Sequence, residues 1–387
     1  MDIDITWLLL GFPVAFVLGW AASRVDLRQL RAENKRSPKA YFKGLNYLLN
    51  EQQDLAIDAF IEAVQNDPDT SELHFALGNL FRRRGEYDRA VRVHEHLLSR
   101  GDLKQTERDR AQHALSLDFL KAGLLDRAED ALTKLEGTRH EPDSRLARLA
   151  IYERTRDWPQ AVTMAERLQH GDQGDFSTRI AHFLCEQAAP LAQGDATAQQ
   201  QALALLERAI AVAPEASRAR IDLSALQAAQ GNTLAAYQSL ASIVAAMQPA
   251  TPLVADRLQQ LARDSGQTAP ALALLQAAYQ QSRSIDVLQA TIALQTVDNA
   301  SSDTARTLYA QHLEKSPSLT IATRLLADET LEHEQLHPQV QRALDKAVLP
   351  LLRYRCAACG FEAQGHFWQC PGCQAWDSYP ARRIEEL

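Results

Sequence analysis

The segment GLNYLLNEQQDLAIDAFIEAVQNDP, starting at Gly44, can be laid over GNLFRRRGEYDRAVRVHEHLL, starting at Gly78, with a period of 34 residues. That period restricts the fold more than any other feature of the chain. Gly44 falls on Gly78, Tyr47 on Phe81 and Ala56 on Ala90, while Phe60, Ala63 and Pro68 complete the first unit. A small alanine then returns at Ala128, Ala161, Ala202, Ala236, Ala271 and Ala305, giving steps from Ala56 of 34, 38, 33, 41, 34, 35 and 34. A helix pair of this length cannot bury its apolar face alone, whereas stacked pairs share one continuous core. The pattern therefore predicts a mostly α chain with about eight units over 37–318. Inserted loops are expected at the longer steps, one of them containing QGDATAQQQ before Ala202. Sparse Gly (16) and Pro (15) in a background of Ala, Leu, Gln and Arg agree with helix.

This pattern resembles the tetratricopeptide repeat, whose small residues sit where two antiparallel helices touch. The resemblance implies a superhelix whose first helices line a concave surface for peptides or protein segments. On this chain it brings Phe75, Asn79, Arg82, Arg83, His113 and Lys121 inward as candidate partner-binding residues. Cys185, alone in RIAHFLCEQAA, reads as core. His94 and His96 are two residues apart, share no helix face, and read as structural or surface side chains.

Ile5 to Ala22 is an 18-residue stretch without charge, close to the roughly 20 residues that cross a bilayer as a helix. A cleaved signal peptide would carry basic residues ahead of the apolar run, but Asp2 and Asp4 stand there instead. Arg24, Arg28, Arg31, Lys35, Arg36 and Lys39 follow, and basic flanks stay cytoplasmic. The expectation is a single-pass anchor over 1–23, a basic cytoplasmic linker over 24–36, and a periplasmic N-terminus. Gly11, Ala15 and Gly19 form a small-residue stripe on which another membrane helix can pack.

Connecting helices are expected over 319–352, after which the composition changes to RYRCAACGFEAQGHFWQCPGCQAWDSYP. Cys356, Cys359, Cys370 and Cys373 form two CxxC turns ten residues apart, a spacing that presents four thiolates to one ion. A disulfide framework is the rival, and a reducing cytoplasm argues against it. Four protein thiolates leave no open position for substrate, so metal-assisted hydrolysis is not expected. Tetrathiolate geometry accepts either iron or zinc. His366 reads as a loop residue, and Phe361, Trp368, Trp376 and Tyr379 as a small core around the site. CAACG followed by CPGC resembles the two knuckles of rubredoxin, with a shorter intervening loop and Gln374 in place of the second glycine. The 353–387 segment is thus read as a rubredoxin-type, zinc-ribbon-like metal module.

The net charge of −8 gives no global basic field for nucleic acid, and no P-loop, GxSxG or HExxH motif is present. The order of membrane helix, basic segment, repeats and cysteine module resembles the lipopolysaccharide assembly protein B family along the whole chain. The resemblance implies a non-catalytic adaptor in the inner membrane of a Gram-negative bacterium. Its implied partners are a membrane-bound ATP-dependent zinc protease, the lipid A-committing deacetylase, and other inner-membrane proteins of lipopolysaccharide synthesis or transport. Alternatives are a redox module using iron at the cysteines, an assembly factor for another membrane complex, and nucleic-acid binding through Arg353, Arg355, Arg382 and Arg383.

Overall fold

A computed structural model describes residues 16–17, 19–20, 42–66, 70–171, 173–246, 249–295, 302–327 and 337–387. The predicted anchor, its small-residue stripe and the basic linker lie outside the described residues, apart from 16, 17, 19 and 20. Among the described residues no helix is long and apolar enough to cross a membrane. The chain divides into two compact units, Met1–Thr155 and Arg156–Leu387.

The first unit contains α1 (residues 42–49), α2 (Gln53–Asn66), α3 (Ser71–Arg84), α4 (Tyr87–Ser99), α5 (Gln105–Ala122), α6 (Leu125–Thr133) and α7 (Glu141–Thr155). Glycine stops two of these helices by the same device. Gly85 and Gly123 take φ of +80° and +77°, and the N–H groups of Glu86 and Leu124 reach back to Phe81 and Phe119. A left-handed residue is cheap only for glycine, so the chain reverses there and the next helix packs antiparallel.

The second unit holds α8 (Trp158–His170), α9 (Ser177–Leu191), α10 (Ala196–Val212), α11 (Ser217–Ala229), α12 (Thr233–Ala245), α13 (Thr251–Asp264), α14 (Thr268–Ser282), α15 (Ile285–Gln295), α16 (Ser302–Lys315), α17 (Leu319–Ala327) and α18 (His337–Val348). An antiparallel pair follows, β1 (Tyr354–Arg355) and β2 (Glu362–Ala363), in the register Tyr354 to Ala363 and Arg355 to Glu362. The described chain closes with a 3-10 turn, Ile384–Glu386.

The eight periodic alanines fall one to each even-numbered helix from α2 to α16. Ala56, Ala90, Ala128, Ala161, Ala202, Ala236 and Ala271 are 0% exposed, and Ala305 is partly buried against the second unit's core. A methyl group is the largest side chain that still lets neighbouring helix backbones close up, which is why the period is written in alanine. The longer steps differ from expectation. QGDATAQQQ is a loop only in part: Gln193, Gly194 and Asp195 lie in the turn after α9, and α10 begins at Ala196, capped by the Asp195 carboxylate accepting from the Ala198 N–H at 2.8 Å. The remaining residues, Ala196 to Gln201, extend α10 ahead of Ala202, because Ala and Gln propagate a helix at little cost.

Candidate metal centre and its docking face

Each CxxC turn folds on itself in the same way. In the first, the Cys356 N–H donates to Phe361 O (2.9 Å) and the Gly360 N–H to Cys356 O (2.9 Å). In the second, the Cys370 N–H donates to Ala375 O (2.9 Å) and the Gln374 N–H to Cys370 O (2.8 Å). The fifth residue of each turn is left-handed, Gly360 at φ +78° and Gln374 at φ +61°.

The two turns bring the four sulfurs within 4.8 Å of one another. Cys356 Sγ lies 3.8 Å from Cys373 Sγ, and Cys359 Sγ lies 3.7 Å from Cys370 Sγ. Metal–sulfur bonds of about 2.3 Å place tetrahedral ligands about 3.8 Å apart, so the cluster fits one ion, whereas disulfide sulfurs would sit about 2.05 Å apart. The electrostatics ask for a cation as well. A hydrogen bond with Ser378 and the amides of Cys359 and Ala358 lower the Cys356 thiol to about 6. Cys359 goes the other way: the Phe361 amide pulls it down, but burial and the thiols of Cys373, Cys356 and Cys370 push it up to about 12. One thiolate thus forms readily and raises the cost of the next, until an ion takes up the charge. Cys356 and Cys370 are buried, Cys359 and Cys373 exposed.

The aromatic residues near the cysteines do two different jobs. Tyr354 and Tyr379 are buried with Cys356 and Cys370 against Leu253 of α13. Phe361 is 44% exposed and covers Gly372 from outside, which corrects its place in the expected core. Trp376 faces the repeats: it stacks on His182 (ring centroids 4.8 Å apart) and sets its edge to Trp158 (6.2 Å) and Phe183 (5.9 Å). His366 bonds Tyr379 O at 3.0 Å and packs edge-to-face on Trp368.

Polar contacts extend this docking. Asp377 Oδ2 is 2.8 Å from His182 Nε2 of α9. Arg383 donates to both carboxylate oxygens of Asp286 on α15 (3.0 and 3.2 Å) and lies over the Tyr354 ring. Glu386 accepts from the Ile285 N–H at 2.7 Å, and Glu385 accepts from the N–H groups of Leu319 and of Thr320, the latter at 3.1 Å. Two carboxylates therefore cap the N-termini of α15 and α17, where helix donors lack partners and the dipole favours negative charge. The module rests on α9, α13, α15 and α17, each the first helix of its pair, and also touches Trp158 at the start of α8. Between it and α9, α11 and α13 lies a cavity of about 540 Å³, lined in part by Asp175, His182, Glu215, Trp368 and Asp377. Arg355 and Arg353 pair with Glu362, and Arg383 with Asp286, so three of the four arginines considered for nucleic acid serve carboxylates of this chain.

The expected groove residues part ways. Phe75 is only 2% exposed: it packs with Leu97, Leu103 and Ala111 and is roofed by the Arg110 guanidinium at 4.1 Å, so it is core and not a docking residue. Arg82 binds Asp118 Oδ1 (2.8 Å), Ala114 O (3.2 Å) and Asn79 Oδ1 (2.5 Å). Asp118 also holds His94 Nδ1 at 2.5 Å, both residues fully buried, so Asn79 and Arg82 complete an internal polar cluster joining α3, α4 and α5. Arg83 and Lys121 are exposed, and His113 is half-buried against His140. The sequence does carry one trace of the His94 site: Gly78, where a Cβ would lie 2.5 Å from the His94 ring. Cys185 is core at 1% exposure.

Comparison with known proteins agrees with this geometry. Residues 354–379 match the rubredoxin metal binding domain, and residues 73–109 the tetratricopeptide repeat. The lipopolysaccharide assembly protein B of Escherichia coli (strain K12) is 32% identical over 394 residues, covering 98% of this chain and 99% of that one. The chain belongs to the lipopolysaccharide assembly protein B family. The Haemophilus influenzae member is 28% identical, covering 97% of each chain. Coverage near full length on both sides means that the family match includes the cysteine module as well as the repeats.

Proposed function

We propose that this protein is a non-catalytic adaptor of lipopolysaccharide assembly, held in the bacterial inner membrane by its N-terminal segment with repeats and metal module on the cytoplasmic side. Its clients in this reading are the lipid A-committing deacetylase and a membrane-bound ATP-dependent protease, which it brings together. The observation that carries the reading is the docking of a closed four-thiolate module on the first-helix face of a repeat array, in a chain matching its relatives end to end. A closed centre shapes a surface and offers no coordination site for substrate. Confinement near a membrane protease raises the effective concentration of client without new bond-making chemistry. Depleting the protein and following the deacetylase by pulse-chase tests this. A lengthened half-life is expected, and an unchanged one overturns the proposal.

A redox role is the second reading, favoured by the exposure of Cys359 and Cys373, with the exposed Phe361 ring against Gly372 of the second turn. An iron-loaded protein with a reversible one-electron couple at physiological potential would support it.

A further inference from the structure

Away from the cysteines, His113 on α5, His140 just before α7 and Asp143 in the first turn of α7 bring their donor atoms within 4.8 Å of one another. The two rings stack, with centroids 4.6 Å apart and planes 17° apart. Among the described residues neither the His113 ring nor the Asp143 carboxylate has a hydrogen-bond partner. The His140 ring accepts one bond, from the exposed Arg139 at 3.2 Å. Half-buried polar groups usually find partners, so the His113 ring, with none, beside an unpaired carboxylate and a second imidazole is unusual.

The backbone around the cluster is fixed. Gln112, next to His113, donates to Ala131 O at 2.9 Å, and Ser144, next to Asp143, donates to Leu132 O at 2.7 Å. Both ligand-bearing helices are thereby pinned to one turn of α6. The turn carrying His140 is held by Gly137 N–H to the Glu141 carboxylate (3.1 Å) and by His140 N–H to Thr138 Oγ1 (3.2 Å). What remains adjustable is rotation of the imidazoles about χ2, a soft torsion that turns stacked rings toward a common ion.

We propose that His113, His140 and Asp143 form a second metal site, taking a divalent ion of the zinc class. Two imidazoles with one carboxylate suit zinc, cobalt or nickel better than magnesium or calcium, which prefer all-oxygen shells. Three protein ligands leave a tetrahedral position open, unlike the closed cysteine centre. The open position sits between two first helices, so a water or a side chain of a docked segment completes the shell there. The competing account is plain packing of two histidines between α5 and α7.

The test is equilibrium dialysis of the full-length chain, its cysteine centre already loaded with one zinc, against micromolar zinc. Two ions per chain are expected for the parent and one each for His113→Ala and His140→Ala. Asp143 is exposed, so Asp143→Asn keeps the fold and is expected to bind the second ion at least tenfold more weakly. Cys359→Ser should lose the first ion and keep the second. One ion per chain in the parent, or a second ion retained by both histidine variants, overturns the site.

Discussion

A methyl group at position 78 would sit 2.5 Å from the ring of His94, and that ring cannot retreat, because it is fully buried and bonded to Asp118. Inside a helix, alanine normally beats glycine by about 0.5–1 kcal/mol, whereas overpacking costs about 1–3 kcal/mol. The clash wins, so Gly78→Ala should lower the melting temperature of the first unit by several degrees in calorimetry. The two metal turns give the opposite lesson. At Gly360 a Cβ meets nothing within 4 Å, so only the left-handed backbone opposes a side chain. Gly360→Ala is expected to cost about 1 kcal/mol, read as a roughly fivefold faster loss of metal to a chelator. Gln374→Gly should slow that loss slightly, since relief of strain is partly offset by the freedom glycine gains in the unfolded chain.

At the scale of elements, the C-terminal turn works as a clasp. Arg383 reaches Asp286, Leu352 O (2.8 Å) and the Tyr354 ring, while Glu385 and Glu386 cap α17 and α15. Asp286 is mostly buried, so truncating its partner leaves a charge poorly solvated, at a cost of about 1–3 kcal/mol. Arg383→Ala should speed amide exchange at Ile285 and Thr320 while the protein keeps its metal. Unchanged exchange would mean that the remaining contacts, among them Trp376 on His182 and Asp377 on His182, hold the module down without Arg383. Repeat elements show how variation is absorbed: the longest step in the alanine series is shared between an earlier start of α10, whose periodic Ala202 is its seventh residue where Ala161 is the fourth of α8, and a four-residue connection, 192–195, where α3 and α4 are joined by two.

For the whole molecule, the repeats and the metal module depend on different forces. The repeats bury a shared apolar core, as in the cluster running from Ala236 to Ile321. Residues 353–387 bury little beyond Tyr354, Cys356, Cys370 and Tyr379, and a segment this short needs the ion to fold. Stripping the metal with a chelator should leave the helical circular dichroism nearly intact and shift tryptophan emission to the red, as Trp376 leaves Trp158 and Phe183. Loss of most helical signal would show instead that the docked module supports the second unit.

Much of this was legible in the sequence because it is written locally. A small residue recurring near 34 and two CxxC turns constrain geometry within a few residues, and their order along the chain pointed to the family. The groove residues were less legible. Phe75 lies on the expected helix, but Arg110, 35 residues on, covers it, and Arg82 is claimed by Asp118, 36 residues away. Period alone says which helix a side chain belongs to, not which neighbour reaches it first. The contact between His182 and Asp377 spans 195 residues, and no motif marks either partner. Sequence by itself determined the repeat, the ion-binding turns and the family, because each depends on short-range spacing. Only the tertiary structure decided where the module docks and which polar groups are consumed internally, because those outcomes depend on surfaces that exist only once distant helices have packed.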